Sequence, residues 1–167
     1  MTLYYPLHYQ VFGVMFDSTS GDYPNDSLLN AYYYNGEFAR TPYSPGPGRV
    51  WIDVLNNAPK QCSWLDVERG DAKPGDVGAW LDARNMPGNQ GIYCSLSNVT
   101  AVNVAAAGRP YNLWVATLDG NPFPMVPLAT GTLVAVQAIT ASMLGFNGDM
   151  SAVVNEGYWN DHRVTTV

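Results

Sequence analysis

The sequence is short of basic residues, and its charge density is low. Lysine and arginine together number 8 against 14 aspartates and glutamates, which gives a formal net charge of −6 and a pI near 4.5. A surface of this charge repels phosphate groups. The composition therefore argues against nucleic acid and against an anionic membrane surface as partners.

Cysteine, histidine and long apolar stretches are also scarce. Cys62 and Cys94 each lie in an apolar run, which favours buried free thiols over a disulfide. His8 and His162 lie near opposite ends of the chain, so a zinc site has little support and no cofactor is expected. No apolar run is long enough to cross a bilayer, and Met1–Pro6 lacks the basic start of a secretory signal.

The sequence does contain short apolar runs that alternate with turn-rich or helical stretches. Apolar residues make up 47% of the 167, which suits a single domain with its core over about residues 11–159. We predict helices from Pro74 to Arg84, from Ser97-Asn98 to Ala107, and over Ser151–Trp159. Seven runs have the composition of strands: Val11–Phe16, Ala31–Tyr34, Arg49–Leu55, Cys62–Glu68, Gly91–Ser95, Asn112–Leu118 and Thr132–Ile139.

Strands that alternate with helices indicate a mostly parallel sheet with both faces covered. The first half of the chain leaves little room for helices between its strands, and a complete closed barrel of this kind takes about 250 residues. The sequence therefore predicts an α/β protein with a small, irregular TIM-like (β/α) barrel. An open, doubly wound sheet is the alternative. The aromatic run Tyr32–Tyr34 is interpreted as strand packing rather than as a platform for sugars.

Acidic residues recur where the predicted strands end. In a parallel barrel every strand opens its carboxyl end onto the same face, so these side chains are predicted to converge there. Two of them, Asp53 and Asp119, fit turn or strand-end roles equally well. The set consists of Asp17, Asp53, Asp66, Glu68 and Asp119, with Asp149 after the last predicted strand.

The segment Trp64–Glu68 carries the most informative pair. Asp66 and Glu68 are two residues apart, so on a strand they share a face at about 6–7 Å along the chain. Their like charges raise the pKa of at least one carboxyl. Glycoside cleavage needs such a protonated carboxyl beside an ionised one. A Ca²⁺ site built from oxygens is an alternative, although the sequence has no EF-hand pattern.

Six segments occur in the same order as in family 25 glycoside hydrolases, which are lysozyme-type muramidases. The chain resembles this family, and particularly its compact representatives from actinobacteria and their phages. The segments are Phe16-Asp17-Ser18 (D-x-S), Leu65–Glu68 (L-D-x-E), Gly91–Ser95 (G-I-Y-T-S), Leu113–Ala116 (L-W-x-A), Val136-Gln137 (W-Q-Y) and Gly148–Ser151 (V-D-L-N).

The resemblance implies roles for individual residues. Glu68 would be the general acid, Asp66 would position or stabilise the intermediate, and Asp17 and Asp149 would complete the acidic site. The expected glycan-binding residues are Tyr93, Trp114 and Gln137 from the resemblance, together with Asp119 and Asn35 at strand ends. No metal is implied.

Two functions follow from these expectations. The first is hydrolysis of peptidoglycan between N-acetylmuramic acid and N-acetylglucosamine. The second is a non-catalytic module on the same fold, such as a phage minor tail or other virion protein that binds wall glycan or another virion component. The short stretch between Asp17 and Asp66 and the loss of both aromatics around Gln137 favour the module, whereas the retained acids favour the enzyme. For either function, we expect the protein to reach the cell wall as part of a phage virion or after release by host lysis.

Overall fold

The computed structural model describes residues 10–21, 23–40, 46–60, 62–122, 124–126, 131–140 and 148–165. Within these residues the chain is an α/β protein whose eight strands form a closed barrel in chain order, together with three short α-helices. The predicted small TIM-like barrel is confirmed, and closure of the sheet excludes the open alternative. The strands are β1 Gly13–Asp17, β2 Asn30–Tyr33, β3 Arg49–Asp53, β4 Trp64–Val67, β5 Gly91–Ser95, β6 Tyr111–Ala116, β7 Gly131–Ile139 and β8 Asp149–Val153; the helices are α1 Val77–Arg84, α2 Val99–Ala106 and α3 Glu156–His162.

The strands β1 to β7 are parallel to their neighbours, whereas β8 runs antiparallel to both β7 and β1. The helix that the sequence predicts over Ser151–Trp159 is wrong for its first part. Ser151 and Val153 belong to β8, which closes the barrel. The helix begins only at Glu156, because the Asn155 side chain accepts a hydrogen bond from the Tyr158 N–H (2.8 Å) and caps α3.

Helices cover only part of the outer surface of the barrel. The helices α1 and α2 follow β4 and β5 and pack on the outward side chains of those strands, including Leu65, Val67 and Ile92. Between β1 and β4, the residues that the structure describes contain no α-helix. Aromatic side chains cover that face instead, with Tyr32 stacked on Trp51 at 5.2 Å between ring centroids. The predicted lack of room for helices in the first half is therefore confirmed.

The interior of the barrel is filled by large side chains. Met15, Trp64 and Trp114 are fully buried there and belong to one core cluster. From α3, Tyr158 joins this cluster and accepts a hydrogen bond from the Trp64 indole (3.1 Å). Because Trp64 begins β4, this contact closes the end of the barrel where the parallel strands begin. Anything that binds must therefore approach from the opposite end, where these strands finish.

Two smaller predictions concern polar and sulfur groups. Cys62 and Cys94 are buried free thiols, as expected. Ser97 and Asn98 are of the residue types that cap helices, so the predicted start of the second helix implies a cap there, but the Asn98 side chain makes no cap hydrogen bond. It donates instead to the Val67 carbonyl (3.1 Å) and ties α2 to the end of β4.

No helix among the described residues is long and apolar enough to cross a membrane.

Candidate active site

Two of the predicted acids face each other across one pair of strands. Asp17 ends β1, Asp149 begins β8, and the two residues are direct partners in the antiparallel β1–β8 register. Direct partners place their Cβ atoms about 4.5–5.5 Å apart. Because β8 runs opposite to the other strands, its first residue lies where the others end. The strand that the sequence missed therefore delivers Asp149 to the open end of the barrel.

The other two acids come from β4 and the residue after it. Asp66 is only 3% exposed, whereas Glu68, just beyond the strand, is half-buried. Burial, followed by the charges of Glu68, Asp71 and Asp17, holds the pKa of Asp66 well above its usual range. The structure therefore brings Asp17, Asp66, Glu68 and Asp149 together, and we call these four residues the acid cluster.

Burial and mutual repulsion make this cluster retain protons. Burial, followed by the charges of Asp149 and Glu68, raises the pKa of Asp17 to about 8. Burial also raises the pKa of Glu68, with further contributions from Asp71 and Asp149. Glu68 combines a raised pKa with an accessible side chain, so it keeps its proton to higher pH than an ordinary glutamate does and can still reach a ligand.

The protonation of Asp17 predicts a dependence of stability on pH. Its pKa of about 8 in the folded chain, against an ordinary value of 3.8, means that the folded state holds a proton that the unfolded state releases. The free energy of unfolding should therefore decrease as pH rises from about 4 to about 8. We expect Asp17→Asn to flatten this dependence and to stabilise the fold at pH 8 by on the order of 2 kcal/mol. Thermal unfolding of both proteins at pH 5 and pH 8 measures this.

The exposed Asp161 in α3 supplies the control for this measurement. Asp161→Asn should follow the wild type at both pH values. Equal loss of stability between pH 5 and pH 8 in the wild type and in Asp17→Asn would contradict the assignment of the proton to Asp17.

Three of the five residues predicted to contact the glycan, Tyr93, Trp114 and Gln137, lie beside the acid cluster. Tyr93 packs edge-on against Trp114 with 4.7 Å between ring centroids. Trp114 is fully buried and donates its indole N–H to the Ser151 hydroxyl (2.9 Å), so its predicted contact with sugar is wrong. Its role is to support Tyr93 from below. Gln137 donates its Nε2 to Asp149 Oδ2 (2.7 Å), which keeps that carboxylate in place.

Two buried acceptors in this site have no donor among the described residues. They are Oδ1 of Asp66 and Oε1 of Gln137, on side chains that are 3% and 2% exposed. A buried acceptor without a donor costs free energy, but both atoms are closed to solvent, so a ligand reaches them only if these side chains move. No three His, Cys, Asp or Glu residues in the described parts of the chain are placed to hold a metal ion.

Tyr33 belongs to the site, although the sequence interpretation assigned its aromatic run to packing. It ends β2, and burial together with the charges of all four acids raises the pKa of its hydroxyl. Its ring contacts that of Phe38 at 6.0 Å, and Phe38 is exposed at the rim. Strand alternation could have placed Tyr33 in the site from the sequence alone. Tyr33 shares a face with the buried Ala31, so it faces the interior of the barrel, and it is the last residue of its strand.

Asp53 and Asn35 lie outside the acid cluster, so the prediction that Asp53 converges with the other acids is wrong. The Asp53 carboxylate is fully buried, and it accepts hydrogen bonds from Arg84 (2.9 Å) and from the Trp80 indole (3.1 Å), both in α1. Its other oxygen accepts from the Asn35 amide (2.7 Å). The outward direction follows from strand alternation, because the adjacent Ile52 faces the interior of the barrel.

Asp119 also lies apart from the acid cluster. It is exposed, and its carboxylate accepts a hydrogen bond from the Asn121 N–H (2.9 Å) within the same loop. This contact and a second from Thr117 lower the pKa of Asp119. Asp119 is therefore a turn residue, which is the alternative to a place in the acidic site that the sequence left open.

Comparison with protein-family models, with curated proteins and with solved structures finds no match to this chain.

Proposed function

We propose that this protein hydrolyses cell-wall glycan as an N-acetylmuramidase of the lysozyme type. The observation that carries the proposal is Glu68, a half-buried carboxyl with a raised pKa, beside three other carboxyls at the open end of a barrel. Accessibility and a retained proton are what a general acid requires. The ordered motifs around Asp17, Asp66 and Asp149 add support through the family resemblance.

In the proposed reaction, Glu68 gives its proton to the glycosidic oxygen as the bond between that oxygen and the sugar C1 breaks. Positive charge develops at C1, and the remaining negative charge of the cluster stabilises it. Asp66 accepts a hydrogen bond from the acetamido N–H through the small exposed part of its carboxyl and holds that group beside C1. Water then adds to C1 and returns a proton to Glu68.

The hydrogen-bonding balance of the site supports a sugar as the ligand. Acceptors dominate, since the site holds carboxyl groups and the free Oε1 of Gln137. A glycan ring brings hydroxyl and acetamido donors without negative charge. A phosphate or carboxylate ligand would meet like charge at every carboxyl of the cluster that is ionised. The negative charge therefore favours the ring itself, rather than an anionic substituent, above Asp66 and Glu68.

Chemical analysis of the products tests this reaction class. We expect the wild-type protein to release fragments from purified peptidoglycan whose new reducing ends are N-acetylmuramic acid. Borohydride reduction followed by mass spectrometry identifies that end as muramitol. Glucosaminitol as the product would contradict the proposed bond, and intact walls after prolonged incubation would contradict hydrolysis.

Binding to walls without any cleavage would instead favour the non-catalytic module of a phage tail or virion. The lost aromatics beside Gln137 are the feature that favours this second candidate. Under both candidates we propose peptidoglycan as the partner and a phage-associated route to it, on the strength of the resemblance.

A further inference from the structure

An apolar cavity of about 180 Å³ opens on the outer surface of the barrel, where β7, β8 and β1 lie side by side. Met15 and Ser151 are fully buried inside the barrel. Their neighbours Val14, Met150 and Ala152 therefore face outward, and they line the cavity. Among the residues that the structure describes, no charged side chain and no α-helix lines it. We call this space the outer cavity.

The turn after β6 forms one wall of the outer cavity, and backbone hydrogen bonds hold this turn against β7. The Leu118 N–H donates to the Gln137 carbonyl (3.2 Å), and the Gly120 N–H donates to the Ala138 carbonyl (2.8 Å). Leu118 has a left-handed backbone with φ of 56°, which is costly for a large side chain, and it is 46% exposed. Strain that fixes an exposed apolar side chain beside a cavity is typical of a binding surface.

The outer cavity has the size and chemistry to hold one apolar side chain. An apolar cavity of about 150 Å³ accommodates a benzene ring. At about 180 Å³, the outer cavity can hold the side chain of a phenylalanine or a leucine. A large side chain buried in such a pocket is a common anchor of protein–protein contacts. A sugar ring would find no polar side chain among the described lining residues, so a glycan is a poor ligand here.

The distribution of charge along the chain indicates what surrounds that apolar anchor in a partner. Lysine and arginine are absent from residues 1–39 and 110–162, the two stretches that supply β1, β2, β6, β7 and β8. The same stretches hold eight of the 14 acids, including the exposed Asp119 beside Gly120 of the cavity wall. These strands and their loops therefore carry acids but no cations of their own, and such a surface attracts a basic partner.

We propose that the outer cavity docks a segment of another protein in which one apolar side chain lies between basic residues. The apolar side chain enters the cavity, and the basic side chains lie over the acidic surface around it. A second copy of this chain fits less well, because a symmetric interface would bring the same acidic side against itself. The inference does not depend on the proposed hydrolysis, since the cavity and the acid cluster lie on opposite faces of β1 and β8.

Titration of the wild-type protein with short peptides tests the proposal. The probes are Lys-Lys-Phe-Lys-Lys with blocked ends, the same peptide with serine in place of phenylalanine, and a third with glutamate in place of every lysine. With methyl groups labelled for NMR, we expect the Met150 and Ile139 signals to shift with the first peptide at millimolar concentration. The serine and glutamate peptides should each bind at least about tenfold more weakly.

Filling the cavity tests where the peptide binds. Ala152→Phe places a ring in the outer cavity and should weaken binding of the first peptide about tenfold. Ala101→Phe is the matched control, because Ala101 is exposed in α2, and it should leave the affinity unchanged. Val11→Ser alters an exposed wall residue that precedes β1 and should weaken binding about threefold, so the test does not depend on the folding of Ala152→Phe.

Each contrary outcome overturns a stated part of the proposal. Equal affinity for the lysine and glutamate peptides would overturn the basic partner, and unmoved Met150 and Ile139 signals would overturn the cavity as the docking site. Sedimentation of the wild-type protein alone should show a monomer. A dimer that Ala152→Phe dissociates would make a second copy the occupant and overturn docking of another protein. None of these results bears on the proposed hydrolysis.

Discussion

Replacing Glu68 with glutamine is expected to lower the rate of wall hydrolysis by about 10²- to 10⁴-fold, the range that general acid catalysis contributes. Glutamine keeps the size and hydrogen-bonding outline of the side chain but has no acidic proton for the leaving oxygen. Glu68 is half-buried at the open end of the barrel, so the fold should survive the change. The measurement is release of reducing ends from purified peptidoglycan, with folding checked by circular dichroism.

The chain provides a matched control in Glu156, an exposed glutamate in the first turn of α3. Because α3 packs at the closed end of the barrel, Glu156→Gln should hydrolyse walls at the wild-type rate. The wild-type rate should also fall as pH rises through the raised pKa of Glu68, since only the protonated carboxyl is active. Equal rates for wild type and Glu68→Gln would remove Glu68 from the mechanism.

Replacing Asp53 with asparagine is expected to cost about 3–5 kcal/mol of unfolding free energy, because it leaves a buried cation without its partner. Arg84 and Asp53 form an ion pair at 2.9 Å with side chains only 6% and 0% exposed. Arg84 also donates to the Cys62 and Ala58 carbonyls and lies over the Trp80 ring at 4.5 Å. For a chain of this length the loss corresponds to a fall of about 10 °C in Tm.

Two further variants separate loss of the ion pair from general disruption. Asp53→Asn combined with Arg84→Met should lose much less than the sum of the single variants, because the pair acts as a unit. Asp82→Asn breaks the exposed pair with Arg109 (2.7 Å) and should leave Tm almost unchanged. A small loss in Asp53→Asn, comparable to that in Asp82→Asn, would contradict a structural role for the buried pair.

Asp53 and Asp66 illustrate that an acid at a strand end can serve either the candidate site or the stability of the fold. Asp53 and Asp66 both lie in short runs that are apolar on either side, RVWIDVL and CSWLDVE. In such runs the hydrophobic pattern has no period of two, so it does not indicate which residues face the interior. Asp66 faces the interior with Glu68 beyond it, whereas Asp53 faces α1. Asp53 also holds the loop after β3, because its carboxylate accepts hydrogen bonds from the Leu55 and Asn57 N–H groups (3.2 Å each).

The last strand was the principal error in the predicted fold. Residues 149–153 are too few and too polar to distinguish a strand from the start of a helix. Pairing with β1 and β7 makes this segment a strand, because both of these strands would otherwise be open edges of the sheet. This closure also carries Asp149 to Asp17, which no pattern within the segment itself indicates.

The sequence by itself determined the alternation of strands and helices, the small parallel barrel, the buried thiols and the positions of acids at strand ends. These follow from local composition, turn residues and the chemistry of short apolar runs. Only the tertiary structure decided which acids face one another and that Trp114 packs against Tyr93. The reason is geometric: the register and direction of each strand are set by its neighbours in the closed sheet, and a shift of one residue turns every side chain to the opposite face.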